Sequence, residues 1–141
     1  DYLPKEKARY LMGVGDPIDL IENSLRGIDL FDCVSPTRLA RHGHAYTKNG
    51  KINLKNSKYK EDFTPVEEGC KCYACQSYTK AYIKHLINAD ETFGARLLSI
   101  HNIYFLENLM KEIRENIKTG TLEQYRDKFI LSYYGEGYEY K

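Results

Sequence analysis

This sequence predicts an α/β chain in two parts, a short βαβ unit followed by a metal-stapled and mainly helical region. Three observations predict it. Two apolar segments, RYLMGVG at residues 9–15 and a second running roughly from Ile28 to Val34, flank a stretch of helical periodicity. Three of the four cysteines crowd into CKCYAC, Cys70 to Cys75. From Gln76 onward apolar residues recur at helical spacing almost to the end.

The elements follow in order. RYLMGVG reads as a short buried strand stopped by glycines, and DPIDLIENSLRG as a helix with Asp16 at its N-cap, Pro17 in its first turn and Ile18, Ile21 and Leu25 on one face. A second strand follows with almost no linker, so the two strands are parallel neighbours. Ser35 to Gly43 reads as a loop, and AYTKNGKINL as a hairpin turning at Asn49-Gly50. After the cysteines come a helix over YTKAYIKHLINA and a longer one over ETFGARLLSIHNIYFLENLMKEIRENIK, with Leu98, His101, Phe105 and Leu109 on one face and Gly120 as its stop. Thr121 and Gln124 have capping-box spacing for a last helix that turns Tyr125 and Phe129 inward. The tail, YYGEGYEYK, is expected to fray. Two parallel strands alone would leave a sheet with edges on both sides, so the chain reads as the end of something larger.

Composition narrows the function classes. At 141 residues, with 42% hydrophobic and 29% charged residues, the chain is an ordinary globular polypeptide with material for one core. No apolar run approaches the roughly 20 residues of a membrane span, and DYLPKEKARY lacks the order of a signal peptide, which implies a soluble, cytoplasmic protein. Basic and acidic residues number 21 and 20, so contact with nucleic acid would use a local basic patch instead of a global field.

Two constellations carry chemistry. Disulfides between near neighbours would strain Cys70, Cys72 and Cys75 and leave one thiol over, whereas a tetrahedral zinc site uses all three and takes a fourth donor from His42, His44, His85 or His101. Such a site is closed, hence structural. Asp32 lies at the C-terminal end of the second parallel strand, where α/β folds place ligands. A carboxylate there is either a nucleophile, base or ligand, or a structural group paired to Arg38 or to backbone amides. By alternation Val34 shares its side and Cys33 faces away. Arg38 and Arg41 suit phosphate contacts.

RYLMGVG, GIDLFDCVSPTRLARHG, CKCYAC and the downstream histidine together resemble the C-terminal part of bacterial tRNA-guanine transglycosylase, also called queuine tRNA-ribosyltransferase, in register from about Ala8 to about Tyr134. The resemblance implies the C-terminal portion of a zinc-bearing (β/α)8 barrel. Residues 1–45 would supply its last two strands, the intervening helix and the active-site loop, and residues 46–141 the hairpin, zinc loop and C-terminal helices. Members exchange the wobble guanine of certain tRNAs for a 7-deazaguanine base. By position, Asp32 matches the family's nucleophile, Met12 and Gly13 line the base pocket, Arg38 and Arg41 engage the anticodon loop, and Cys70, Cys72, Cys75 and His101 hold one structural Zn2+. Tyr78, Tyr82 and His85 match a homodimer face, although an aromatic stripe of that spacing also suits plain core. Where many relatives have a lysine after GVG, this chain has Asp16. The general base and the guanine-selecting side chains would lie upstream of Asp1, leaving the chain by itself without catalytic power. A different reading is a zinc-stabilised structural or dimerisation module.

Overall fold

The computed structural model describes residues 3–140. Strand β1 (Tyr10–Leu11) pairs in parallel with β2 (Leu30–Phe31), in register Tyr10 to Leu30 and Leu11 to Phe31, and helix α1 (Pro17–Leu25) crosses between them. The βαβ unit is therefore present. Its strands are shorter and more exposed than the apolar pattern predicts: Tyr10 is 50%, Leu30 55% and Met12 75% exposed. Each of the two strands has only the other as a hydrogen-bonded neighbour among the described residues, so apolar side chains on that face have nothing to pack against. Cys33 faces inward as alternation predicts. A Cβ at Gly15 would meet its Cβ at 2.3 Å, so only glycine lets the chain pass there.

Ser35–Arg41 forms helix α2, not the expected loop. Pro36 sits in the first turn, where a missing N–H costs nothing, and Gly43 at φ +84° ends the turn that follows. Strands β3 (His44–Thr47) and β4 (Gly50–Asn53) make the antiparallel hairpin. Its two loop residues are Lys48 and Asn49, one position earlier than expected, because Gly50 pairs with Thr47. Gly50 is instead required by proximity, since a Cβ there would lie 2.9 Å from the Tyr133 carbonyl oxygen.

The helices are α3 (Tyr73–Ser77), α4 (Lys80–Asn88), α5 (Thr92–Thr119) and α6 (Leu122–Tyr134). The short α3 inside the cysteine motif was not anticipated. Cys72 caps it, its sulfur accepting from the Cys75 N–H. Gly120 ends α5 in the left-handed conformation at φ 70°, as its position predicts. The expected capping box does not form, because the Thr121 hydroxyl donates to Asn116 Oδ1 instead of receiving an N–H of α6. Asp16 has N-cap backbone geometry, but its carboxylate caps nothing. It accepts from the Tyr134 hydroxyl at 2.7 Å and pairs with Lys51 at 3.4 Å. This anchors the end of α6, and the tail does not fray within the described residues: Tyr138 stacks on Tyr134 at 4.1 Å, and Arg26 lies 5.4 Å from the Tyr140 ring centre. The aromatic side chains that made the tail look like a loose end give it apolar surface to bury.

Helix α5 carries two cores. Its first half, through Leu97 and Leu98, packs with Ala40, Ala45, Leu54, Ile83 and the three cysteines. Its second half, through Leu109 and Ile113, packs with Leu20 and Ile21 of α1 and Leu122 of α6. Each fully buried leucine or isoleucine there contributes about 1.5–3 kcal/mol. No helix among the described residues is long and apolar enough to cross a membrane.

Candidate metal centre and strand-end carboxylate

Cys70, Cys72 and Cys75 reach one point because the loop before α3 and its first turn curl over the middle of α5. His101 meets them from α5, with no exposed surface. The ligand atoms of the four all lie within 4.8 Å of one another. His101 Nδ1 is 3.7, 3.6 and 3.3 Å from the sulfurs of Cys70, Cys72 and Cys75. Metal–sulfur and metal–nitrogen bonds of about 2.3 and 2.0 Å at a tetrahedral angle separate sulfur from nitrogen by about 3.5 Å, so the cluster has the dimensions of a site for one ion. His101 Nε2 is 2.7 Å from the Tyr46 carbonyl oxygen. As an Nε2–H donor it leaves the Nδ1 lone pair for the metal and fixes the ring. The Cys75 hydrogen bond to Cys72, with help from His101, pulls the Cys72 thiol down to about 4 against the cost of burial, while Cys75 is pushed up. Cys72 is thus held as thiolate, the form a metal takes, with Cys75 as its hydrogen-bond donor. Of the four histidines considered, His42 and His85 are exposed and His44 lies outside the cluster.

Beside His101 sits a group that the sequence does not announce. Asn102, also without exposed surface, accepts from the Tyr46 N–H at 3.0 Å and donates to the Pro36 and His44 carbonyl oxygens at 2.9 and 3.1 Å. It ties α2 and β3 to α5. The signal was its place next to a candidate ligand on the buried stripe, where a polar side chain must find partners. Asn102→Ala is expected to lower stability by about 2–4 kcal/mol, because buried backbone groups lose their partners. Urea unfolding of the metal-loaded chain measures it, and a cost under about 1 kcal/mol would contradict this role.

Asp32 is exposed, and Arg38 does not pair with it. Its Oδ1 accepts from the Tyr10 hydroxyl at 2.6 Å and from the Gly13 N–H at 2.9 Å. The Tyr10 bond first, then the Gly13 bond, hold the carboxyl below the ordinary carboxylate range, and the same contact raises the Tyr10 phenol. Tyr10 was missed as a site residue. Strand alternation could have found it, since Tyr10 pairs with Leu30 across the parallel pair and Asp32 follows Leu30 by two residues, on the same side. Removing the stronger of two bonds to the charged form must raise its pKa. In Tyr10→Phe the Asp32 carboxyl signal followed by NMR is therefore expected to titrate at higher pH, and an unmoved midpoint would show that the contact does not hold the charge.

Met12 and Gly13 adjoin this carboxylate and are open to solvent. Arg38 and Arg41 project from the last turn of α2 with no ion-pair partner among the described residues. Tyr78 packs against the buried cluster that holds the cysteines, and none of Tyr78, Tyr82 and His85 is among the four grouped ligand residues. Tyr82 and His85 are exposed, and Tyr78 stacks on Tyr82 at 5.4 Å and meets Phe93 edge-on at 5.5 Å.

A Cys3His cluster that could hold one metal ion, a strand-end carboxylate and a two-arginine helix define a mixed α/β protein with a candidate metal site and a separate exposed carboxylate. Comparison with known proteins gives the particular family. The model of the queuine tRNA-ribosyltransferase family matches residues 1–135, and the chain belongs to that family. It is 54% identical over 134 residues to a queuine tRNA-ribosyltransferase of Pelotomaculum thermopropionicum, covering 95% of this chain and 36% of that protein. It is 57% identical over 131 residues to one of Dictyoglomus turgidum, covering 93% and 34%, and 56% identical over 131 residues to one of Streptococcus uberis, with the same shares. The chain spans about a third of the length of these curated relatives and matches their C-terminal part.

Proposed function

We propose that this chain is the C-terminal part of a tRNA-guanine transglycosylase, residues 1–45 closing a (β/α)8 barrel and residues 46–141 forming its metal-bearing extension. The observation that carries this reading is the carboxylate of Asp32, held ionised by Tyr10 and Gly13 at the end of a parallel strand in a member of this family. The exposed face of Tyr10, Met12 and Leu30 suits a barrel interior completed by further strands.

In the proposed reaction an Asp32 oxygen attacks C1′ of the wobble guanosine's ribose as the glycosidic bond breaks. Guanine leaves with the bonding electron pair and takes a proton from an acid outside this chain. A 7-deazaguanine base then gives up its N9 proton to the conjugate base of that acid and attacks C1′, and the ester to Asp32 breaks, restoring the carboxylate and the original anomeric configuration, as in retaining glycosidases. Met12 and Gly13 flank the flat base, and Arg38 and Arg41 receive anticodon-loop phosphates. Cys70, Cys72, Cys75 and His101 would hold Zn2+, which supplies a fixed tetrahedral crosslink and no reacting group. Half-buried Tyr78 with exposed Tyr82 and His85 would join a second copy, and the protein would work in the cytoplasm.

Labelled-guanine exchange tests this reading. The full transferase should incorporate guanine into tRNA and the isolated chain should not, because nucleophile and acid–base partner act as a unit. Exchange by the isolated chain would overturn the division of labour. The structural-module reading, in which this chain has no catalysis of its own, is favoured by the burial of the cluster, and it predicts that Asp32→Ala leaves exchange by the full transferase intact.

A further inference from the structure

Between the hairpin tip, the loop before α3, and helices α5 and α6 lies a groove of about 710 Å³ whose lining shares only Cys70 with the residues given a role above. Tyr104, Phe105, Tyr125 and Phe129 wall it, and Lys48, Lys71, Lys111 and Lys128 rim it. All four lysines are exposed, and none has an ion-pair partner among the described residues. Two carboxylates also line the groove, each bonded to another groove residue, Glu67 accepting the Lys48 backbone N–H and Glu112 the Tyr125 hydroxyl at 2.6 Å, so the four ammonium groups outnumber them by two. In a chain whose net charge is only +1, four unpaired ammonium groups around one aromatic groove are a local concentration of positive charge.

We infer that this groove is a second RNA-binding site, which takes an unpaired stretch of the tRNA outside the anticodon loop. The inference rests on the tRNA reading above. Ammonium groups fit phosphates, and flat phenyl and phenol faces fit splayed bases and sugars, the combination that single-stranded nucleic acid requires. An apolar segment of protein would have no use for the four charges. Continuity points the same way, since contacts and shared elements link the carboxylate strand to the edge of the groove. Cys33, next to Asp32, packs on Gly15; its neighbour Asp16 binds Lys51 and Tyr134; and these lie beside the groove residues Lys48 and Ser132 on the same hairpin and helix.

The test uses the full, metal-loaded transferase with K111E/K128E and the conservative K111R/K128R, probed with whole tRNA and with an anticodon stem-loop cut from it. Direct binding across a salt series and the KM and kcat of exchange are read together. For whole tRNA, K111E/K128E should weaken binding and raise KM by about tenfold, with kcat nearly constant and a salt slope shallower by about 1.4, while arginine restores both. The stem-loop should respond far less. Whole-tRNA affinity and KM within about twofold of the parent would overturn the groove as an RNA site. So would protection of Lys111 and Lys128 from acylation in RNA-free protein, which would mean that protein already covers it. Because binding is read separately from exchange, the two proposals fail separately. Absent exchange with a lysine-dependent affinity sinks only the catalytic reading, and normal exchange with indifferent lysines sinks only the groove.

Discussion

Chelation of the metal, or Cys72→Ala, is expected to unfold the first half of α5 and everything packed on it. The ligands are not surface groups recruited to an existing fold. Cys70, Cys72, Cys75 and His101 belong to the same buried cluster as Leu97, Leu98 and Ile83, so without an ion the core holds sulfurs and an imidazole facing one another at 3.3–3.7 Å. A structural zinc in a small domain supplies about 10–16 kcal/mol of apparent folding free energy, as much as the whole net stability of an ordinary domain. Affinity should also fall with pH, since protons compete for the sulfurs and for Nδ1. Native mass spectrometry should find one zinc per chain, and circular dichroism after chelation should show loss of cooperative melting. An equally folded metal-free chain would rule out the structural role.

In the full transferase, Asp32→Asn is expected to lower base exchange by about 10⁴-fold or more and to abolish any covalent RNA adduct on a denaturing gel. Asparagine has the same shape and keeps an oxygen for the Tyr10 hydroxyl and the Gly13 N–H, so the strand end should hold its geometry. What it lacks is the charge. A neutral amide oxygen is a poor nucleophile toward an anomeric carbon, whereas the parent carboxylate is ionised well into the acid range. Exchange within about tenfold of the parent, or a persistent adduct, would assign the nucleophile to another group.

The elements fixed by local chemistry were legible in the sequence: α1 from its apolar stripe, α5 from its long periodicity and the stop at Gly120, and the metal cluster from three crowded cysteines. The motifs carried the family resemblance, which chose His101 among four histidines before the cluster geometry agreed. Misreadings arose where tertiary partners overrode local preference. Asp16 looked like a cap and became a ligand for Tyr134 and Lys51, which are distant in sequence. Ser35–Arg41 looked like a loop because proline and glycine bound it, yet α2 lies against α5 with Asn102 holding its Pro36 carbonyl. Tyr10 and Asn102 left only faint signals, a shared strand side and a place beside a candidate ligand, because their importance lies in partners that the fold supplies.

The two cores on α5 make its phase a fixed quantity. His101 and the pair Leu109 and Ile113 are joined by unbroken helix, and each residue turns the axis by about 100°. A single-residue insertion or deletion between them would leave the metal ligand in place and swing Leu109 and Ile113 away from α1 and α6. The loop at Lys48 and Asn49 faces solvent and can change length at little cost, but the stretch from 102 to 108 cannot. Its length should be as invariant as the cysteine spacing, although nothing in its composition says so.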